Sequence, residues 1–265
     1  MKITSRDNSL LRRARAVRDG KIVESIFVEG LRLCEEALAS GLKIEAVIYS
    51  DQIAAKDRAA KLIDKLGAAA KASASLSEKL LESISFTKTP QGIVLLAERP
   101  AHDELSFATK QPECPLVVVV HEINNPVNIG AIVRTAEAAG ASGVIATANT
   151  TDPFSPKALR GAMGSAFRLP IWSSVPYAQV IDWCRAKRIR AIVADVSGSM
   201  DYSRNDWRKP SLIIFGRESM GLTPEEIAAA DKVVRIPMHG ATESLNVSVA
   251  AGIILFEAAR QRAQR

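Results

Sequence analysis

Five consecutive apolar residues, Leu116 to Val120, place the strongest constraint on the fold of this 265-residue chain. A strand that is apolar at every position has both faces covered, which is typical of the parallel sheets of α/β proteins. More strands are predicted downstream at Gly143–Ala146, Arg190–Val196, Leu212–Phe215 and Lys232–Ile236, with helices that include Ile129–Ala139, Tyr177–Ala186 and Pro224–Ala230 between them. We therefore expect an α/β domain with a parallel sheet and helices on both faces in residues 116–265.

A smaller αβ unit is predicted to precede this sheet. Strands are expected at Ser25–Val28, Ile44–Tyr49 and Gly92–Ala97, and helices at Asn8–Arg18, Leu31–Ala39, Ile53–Leu66 and Glu78–Ser83. Residues 99–115 contain three prolines and many charges without an apolar period, so we interpret them as a linker. The predicted organisation is a domain of residues 1–98, this linker, and a second domain of residues 116–265.

Positive charge is concentrated at the N-terminus. Of the formal net charge of +6, five charges come from the first 21 residues, where seven Lys and Arg face two Asp. A concentrated basic end suits a polyanion such as RNA, because neutralising phosphates releases counterions. A solvated helix face is the alternative interpretation. The candidate RNA-binding residues on the first predicted helix are Arg12, Arg13, Arg15 and Arg18.

Several classes of protein are disfavoured by what the sequence lacks. No apolar run is long enough to span a bilayer, and the basic N-terminus has no apolar core of a signal peptide, so we expect a cytoplasmic protein. The three cysteines and three histidines are scattered, which speaks against disulfides and a metal site. There is no G-x-G, no G-x-x-x-x-G-K and no G-x-S-x-G sequence, so dinucleotide, P-loop and serine-hydrolase chemistry are disfavoured.

One predicted helix of the second domain carries a single cation among apolar neighbours. Asn128 stands where a loop meets this helix, and Arg134 follows six residues later, about 9 Å along the axis. A guanidinium in such a place suits bidentate binding of a phosphate or carboxylate. A surface arginine that pairs with Glu137 or solvent is the alternative.

Two later stretches place polar side chains in loops that follow predicted strands. Gly216 comes directly after a buried strand, and Glu218 lies in the loop between two glycines. Ser244 and Asn246 lie in the turn between the last predicted strand and the final helix. α/β proteins bind ligands at such loops because unpaired backbone amides collect at helix N-termini. An ordinary helix start capped by Ser244 is the alternative.

A separate helix start is predicted at Thr223. Thr223 is the expected N-cap, Pro224 occupies the first helical position, and Glu226 completes a capping box. We interpret these three residues as structural.

The sequence is similar to one known family at three ordered stretches. N-I-G-A-I-V-R-T-A-E-A-A-G (128–140), I-I-F-G-R-E-S-M-G-L (213–222) and I-P-M-H-G-A-T-E-S-L-N-V-S-V-A-A-G (236–252) resemble the three motifs of the SpoU/TrmH family of RNA ribose 2′-O-methyltransferases. The resemblance covers residues 116–265, and the N-terminal unit resembles the family's ribosomal-protein-like substrate-binding domain. It implies a deep trefoil knot in the second domain, S-adenosylmethionine as methyl donor, transfer or ribosomal RNA as substrate, and a homodimer that pairs through the knotted domains.

The same resemblance implies roles for individual residues. The implied active-site residues are Asn128, Arg134, Glu218, Ser244 and Asn246. The implied cofactor-binding residues are Gly216, Ile236, Met238, Leu245 and Asn246. Arg134 is the implied activating residue, and we expect it to stabilise a developing alkoxide, because a guanidinium with a pKa above about 12 is a poor base. Two positions depart from the family pattern: Arg217 replaces a small polar residue, and the loop of residues 161–164 lacks a serine.

The predicted function is methyl transfer from S-adenosylmethionine to a ribose 2′-hydroxyl of transfer or ribosomal RNA, with the first domain selecting the RNA. A non-catalytic RNA-binding or ribosome-assembly protein on the same fold is one alternative. The presence of all five implied active-site residues weighs against it. Methylation of a base nitrogen by a knotted relative is the other alternative, and the S-L-N-V-S stretch at 244–248 favours the ribose enzymes.

Overall fold

The computed structural model describes residues 1–218 and 220–264. The chain divides into two compact units: one of Met1–Pro100 with Phe154–Arg168, and one of Ala101–Pro153 with Leu169–Arg265. The first unit thus includes a short segment from the middle of the sequence. The domain boundaries predicted from the sequence stay a prediction.

The first unit is built on a four-stranded mixed sheet. Its strands are β1 (Ser25–Glu29), β2 (Ile44–Ser50), β3 (Ala72–Leu76) and β4 (Ile93–Glu98). Its helices are α1 (Ser9–Arg18), α2 (Leu31–Ala39), α3 (Asp51–Ala54), α4 (Asp57–Ala69), α5 (Glu78–Glu82), α8 (Pro156–Ala162) and α9 (Ser165–Arg168). The strand order is β1-β4-β2-β3, in which β4 runs antiparallel to β1 and β2 while β3 runs parallel to β2.

Most elements of this unit follow the sequence prediction. The predicted helix over residues 53–66 is instead two helices, because Ser50 caps a first short turn before α4 begins at Asp57. Strand β3 was not predicted, since its sequence A-S-A-S-L is small and polar. Helix α1 buries Leu11, Ala14 and Val17 in the core of the unit, as its apolar spacing predicts.

The second unit contains a seven-stranded parallel sheet among its described residues. Its strands are β5 (Leu116–Val120), β6 (Gly143–Thr147), β7 (Ile171–Val175), β8 (Arg190–Ala194), β9 (Met200–Asp201), β10 (Ser211–Phe215) and β11 (Lys232–Arg235). Its helices are α6 (Glu104–Thr109), α7 (Pro126–Ala138), α10 (Tyr177–Lys187), α11 (Pro224–Ala228) and α12 (Val247–Arg262), with a 3₁₀ turn at Tyr202–Arg204.

The strand order β7-β6-β5-β10-β8-β11-β9 confirms the predicted parallel sheet. All five residues of β5 are buried, as its unbroken apolar run predicts. From β5 the sheet extends to β6 and β7 on one side and to β10, β8 and β11 on the other. Such a reversal of strand order opens a crevice at the carboxyl ends of the two central strands.

The predicted linker contains a helix that belongs to the core of the second unit. Asp103 caps α6 by accepting a hydrogen bond from the backbone N–H of Ser106 (2.8 Å). Phe107 is fully buried, with its ring centroid 5.9 Å from that of Trp172 and 5.7 Å from that of Trp183. The surrounding prolines and charges hid this helix in the sequence, because only one of its side chains is buried.

Two further properties concern the described residues as a whole. None of their helices combines the length and apolar character that crossing a bilayer requires. They contain no group of three or more His, Cys, Asp or Glu side chains that is arranged to hold a metal ion.

Replacing Phe107 by Ala should lower the free energy of unfolding by about 3–5 kcal/mol, because it leaves a cavity between two tryptophans. Leu105→Ala is the matched control, since Leu105 lies on the same helix and is 73% exposed, and its effect should stay within about 0.5 kcal/mol. Urea unfolding followed by tryptophan fluorescence measures both. Equal midpoints for the two variants would contradict the assignment of α6 to the core.

Candidate functional site

A cavity of about 750 Å³ opens in the second unit where β8, β10 and β11 end. Residues that follow these strands line it, together with the start of α7 and the loop before α12. This is the edge of the sheet where a reversed strand order places ligands in α/β proteins. The lining residues include Asn125, Asn128, Asp195, Val196, Gly216, Arg217, Glu218, Met220, Leu222, Ile236, Met238, Ser244, Leu245, Asn246 and Ile254.

A chain of hydrogen bonds joins three of the predicted active-site residues across this cavity. The amide Nδ2 of Asn128 donates to Oε1 of Glu218. The amide Nδ2 of Asn246 donates to Oδ1 of Asn128 over 3.3 Å. Oδ1 of Asn246 in turn accepts from the backbone N–H (2.9 Å) and hydroxyl (2.6 Å) of Ser248, which makes Asn246 the N-cap of α12. The three loops that carry the motifs therefore meet at one place.

Asn246, and not Ser244, caps the final helix. Ser244 is exposed and lines the cavity, so the capping alternative for this serine is wrong. Ser244 lines the same cavity as Asn128 and Asn246.

Arg134 lies apart from the other predicted active-site residues. Its side chain is exposed on α7, and it is not one of the described residues that line the cavity. Arg134 follows Asn128 by six residues, and at about 100° per residue the two side chains lie on different sides of α7. Asn128, by contrast, is only 7% exposed. Arg134 instead shares the exposed stripe of α7 with Val127, seven residues earlier.

The residues predicted to bind a cofactor all line the cavity. They are Gly216, Ile236, Met238, Leu245 and Asn246. A Cβ at Gly216 would overlap the Leu222 side chain, so a larger residue here would force Leu222 to move. Whether these residues contact a cofactor stays a prediction.

Asp195 also lines the cavity, although it was not among the predicted site residues. Asp195 directly follows β8, and its Oδ1 accepts hydrogen bonds from the backbone N–H (2.8 Å) and the hydroxyl (2.6 Å) of Ser197. The predicted strand over residues 190–196 ran two residues too far and enclosed this aspartate. An acidic residue at the carboxyl end of a buried strand is the signal that would have identified it.

Arg217, in the loop after β10 that lines the cavity, connects this loop to Glu122 and Glu226. Its Nε donates to Glu122 Oε2 over 2.7 Å, and its Nη1 and Nη2 donate to the two carboxylate oxygens of Glu226 over 2.8 and 2.9 Å. Nη1 also donates to the backbone carbonyl of Gly221 over 3.2 Å. Arg217, which departs from the family pattern, therefore ties the start of this loop to the Gly221 carbonyl by a hydrogen bond and to Glu226 by a bidentate ion pair.

Glu226 serves as helix cap and ion-pair partner together. The predicted capping box is confirmed, since Glu226 Oε2 accepts from the Thr223 N–H (2.8 Å) and Thr223 Oγ1 accepts from the Glu226 N–H (3.3 Å). His121 Nε2 lies 2.9 Å from Glu226 Oε1. The Arg217 guanidinium, helped by Thr223 and His121, lowers the pKa of Glu226 to about 2, and Arg217 likewise lowers the pKa of Glu122.

The arginines of α1 have varied partners in the first unit. Arg13 donates to Glu45 (2.7 Å) and to Ser25 (2.9 Å), and Arg15 donates to the backbone carbonyl of Arg6 (2.8 Å). Arg18 pairs with Asp19 (2.8 Å), while Arg12 is exposed. Their binding of RNA stays a prediction.

Comparison with known proteins decides the family. Residues 115–256 match the model of the SpoU rRNA Methylase family, and residues 12–95 match that of the MRM3-like substrate binding domain. The chain belongs to the SpoU rRNA methylase family. The resemblance inferred from the three motifs is thereby confirmed.

Several SpoU proteins match over nearly the whole chain. A 23S rRNA (uridine(2479)-2′-O)-methyltransferase from Streptomyces viridochromogenes is 32% identical over 89% of this chain and 83% of its own length. A 23S rRNA (guanosine(2553)-2′-O)-methyltransferase from Bacillus subtilis is 28% identical over 88% and 87%. The crystal structure of an AdoMet-bound rRNA methyltransferase from Sinorhizobium meliloti superposes with a TM-score of 0.86 at 33% identity, covering 98% of this chain and 97% of that one.

The low pKa of Glu226 predicts how acid affects the ion pair with Arg217. Because the pKa of Glu226 is lower in the folded than in the unfolded protein, its ionised carboxylate stabilises the fold at any pH above the unfolded pKa near 4.3. This stabilisation is lost as the pH falls from there towards 2. Glu226→Gln should therefore lower the free energy of unfolding by about 1–3 kcal/mol at pH 5 to 7. The deficit relative to the wild type should shrink below about pH 4. Urea titrations at several pH values measure it, with the exposed neighbour Glu225→Gln as control; a deficit that grows on acidification contradicts the assignment.

Proposed function

We propose that this protein transfers a methyl group from S-adenosylmethionine to a ribose 2′-hydroxyl of ribosomal or transfer RNA. The observation that carries the proposal is the hydrogen-bonded chain Glu218–Asn128–Asn246, which unites the three motif loops at one cavity. The relatives from Streptomyces viridochromogenes and Bacillus subtilis are named as 23S rRNA 2′-O-methyltransferases, which favours ribosomal RNA.

The cavity suits an adenosyl compound. Its volume of about 750 Å³ falls in the range of small-molecule sites. Ile236, Met238 and Leu245 offer apolar surface for a base, and Gly216 lets the backbone approach closely. When bound, S-adenosylmethionine supplies a methyl group already activated by a sulfonium, so the protein has to bind and orient the acceptor.

The chain's own residues supply the positioning. Because the Asn128 amide donates to Glu218 and accepts from Asn246, both amides have a fixed orientation before substrate arrives. Fixed polar groups of this kind lower the cost of aligning a ribose hydroxyl, and the exposed hydroxyl of Ser244 adds a further polar contact in the same cavity. We assign Asn128, Glu218, Ser244 and Asn246 to ribose positioning.

We infer that the active assembly is a homodimer that encloses Arg134. Helix α12 packs on α7 and leaves Val249 and Phe256 50% and 54% exposed, while Val127 on α7 is 47% exposed. An apolar surface formed by two adjacent helices is typical of a self-complementary interface. Arg134 lies on the same stripe of α7 as Val127, so a second copy seated there would desolvate its guanidinium.

Three further features of the proposal come from the family. We infer that the second unit is knotted. Two parts of the segment between β11 and α12, Ile236 with Met238 and residues 244–247, line the cavity beside the loops after β8 and β10, and α12 then packs on α7, which supports this inference. We infer that the first unit is the ribosomal-protein-like RNA-selecting domain, which the MRM3-like match supports. An RNA substrate of this kind and the buried free thiols of Cys34 and Cys184 favour the cytoplasm.

Phe256→Asp should convert the dimer to a monomer, because a carboxylate would have to be buried in an apolar contact. Sedimentation equilibrium measures the mass. Leu105→Asp, at a position of the same unit that is 73% exposed, should leave the mass unchanged. A Phe256→Asp protein with the wild-type mass would contradict this interface.

The family resemblance implies that Arg134 stabilises the developing charge, and because it does not line the cavity of its own chain, it would act in the proposed dimer. Arg134→Ala should therefore slow methyl transfer about 100-fold or more, while affinity for S-adenosylmethionine changes by no more than a few-fold. The assay is incubation with labelled S-adenosylmethionine and total RNA, followed by mass spectrometry of the nucleosides. Lys187→Ala, which removes an exposed cation from α10, is the control and should keep the wild-type rate.

The same assay separates the alternatives. A 2′-O-methylated nucleoside supports the proposal, and a base-methylated nucleoside supports the knotted base methyltransferases. Binding of RNA without any methylated product supports a non-catalytic role. Near-wild-type turnover by Arg134→Ala removes this residue from the mechanism.

A further inference from the structure

One aromatic side chain of the first unit faces solvent from a loop between α5 and β4. Phe86 is 43% exposed, and its neighbours in the sequence are the polar residues Ser85, Thr87 and Lys88. An isolated aromatic ring among polar groups is too small an apolar surface for a stable protein interface, which needs a contiguous patch. Its exposure points to a ligand that contacts one ring at a time.

The Glu29 carboxylate binds the backbone of the loop that carries Phe86. Glu29 Oε2 accepts hydrogen bonds from the backbone N–H groups of Phe86 (2.8 Å) and Thr87 (3.3 Å). Glu29 Oε1 accepts from the hydroxyls of Thr87 (2.7 Å) and Ser85. Four donors from three consecutive residues thus converge on one carboxylate at the end of β1. The backbone that carries Phe86 is therefore ordered before any ligand binds, which lowers the entropic cost of binding.

Cations adjoin this loop on two sides. The guanidinium Nη1 of Arg18, at the end of α1, donates to the backbone carbonyl of Ser85 over 3.2 Å. Lys88 follows Phe86 by two residues and is exposed. The basic helix α1, whose charge dominates the net charge of the chain, therefore ends against the segment that presents the ring. Arg18 is paired with Asp19 and Glu29 is occupied by the loop backbone, so the exposed Lys88 supplies the charge beside Phe86 that favours an anionic ligand.

We propose that Phe86 is a stacking platform for one unpaired base of the substrate RNA, with Lys88 and the exposed cations of α1 binding the adjacent phosphates. The proposal rests on the RNA substrate of the proposed function and names a subsite for it. Every base has a π-face that stacks on an aromatic ring, and flanking cations follow the backbone. A base inside an RNA duplex cannot reach the ring, so the subsite selects single-stranded loops or bulges.

The test uses the full chain and a fluorescein-labelled oligouridine of about 12 nucleotides, with fluorescence anisotropy as readout. Phe86→Ala should weaken binding at least about fivefold, because base stacking is lost. Phe86→Tyr keeps the ring and should stay within about twofold, whereas Phe86→Leu keeps apolar area without the ring and should resemble Phe86→Ala. Binding of an RNA duplex of similar length should not change. Val23→Ala, at an exposed apolar position of the same unit, is the control.

Lys88→Ala tests the phosphate contact separately. It should reduce the slope of log affinity against log salt by about 0.7 while leaving the preference for single strands intact. Lys71→Ala, which removes another exposed lysine of the unit, should leave the slope unchanged.

The outcomes separate this inference from the proposed function. If Phe86→Ala and Phe86→Leu both bind oligouridine as tightly as the wild type, the stacking platform is refuted, whatever the nucleoside assay gives. A change of oligomeric mass in Phe86→Ala refutes it also, since the ring then serves self-association. If the wild type forms no 2′-O-methyl nucleoside but the Phe86 series behaves as expected, the proposed reaction fails and the RNA subsite stands.

Discussion

The hydrogen-bonded pairing of β5 with β10 is the constraint on which the site depends. The two strands run parallel and in register from Leu116 opposite Ser211 to Val120 opposite Phe215, so both end at the same level. Their loops therefore begin side by side, although about a hundred residues separate them in the chain. Asn128 reaches Glu218, and Glu122 reaches Arg217, only because this register is fixed by two strands that are buried on both faces.

The loop after β10 is fastened on two sides by neighbouring residues. Arg217 connects backwards to Glu122 and Glu226, and Glu218 accepts from Asn128. A loop held in this way loses little further freedom when a ligand enters, which is the physical basis of preorganised binding. Arg217, the charged residue that departs from the family pattern, therefore stabilises the motif loop through its contacts with Glu122 and Glu226.

Carboxylates act as internal braces in both units. Glu226 receives the guanidinium of Arg217 and a backbone N–H, and Glu29 receives two backbone N–H groups and two hydroxyls. Each fixes a loop whose other side chains are left to face a ligand. The composition of the chain does not show which carboxylates have this role, because a count of charges does not distinguish a carboxylate that binds a loop from one that is solvated. The same holds for α1, where Arg13 and Arg18 have acidic partners that the count of basic residues does not register.

The sequence by itself determined the parallel sheet, the helix start at Thr223 and the motif residues, because an unbroken apolar run, a capping box and a fixed spacing are local signals. Strands β3 and β7 and helix α6 escaped prediction, since polar or proline-rich segments give no clear period. Their burial depends on residues far away in the chain, as that of Phe107 in α6 depends on Trp183. Only the tertiary structure decided that Arg217 and Glu226 brace the cavity loop, that Asp195 lines the cavity, and that Arg134 is exposed on α7 and does not line it. These assignments arise from contacts between residues far apart in the chain, such as Asn128 with Asn246, which no local pattern encodes.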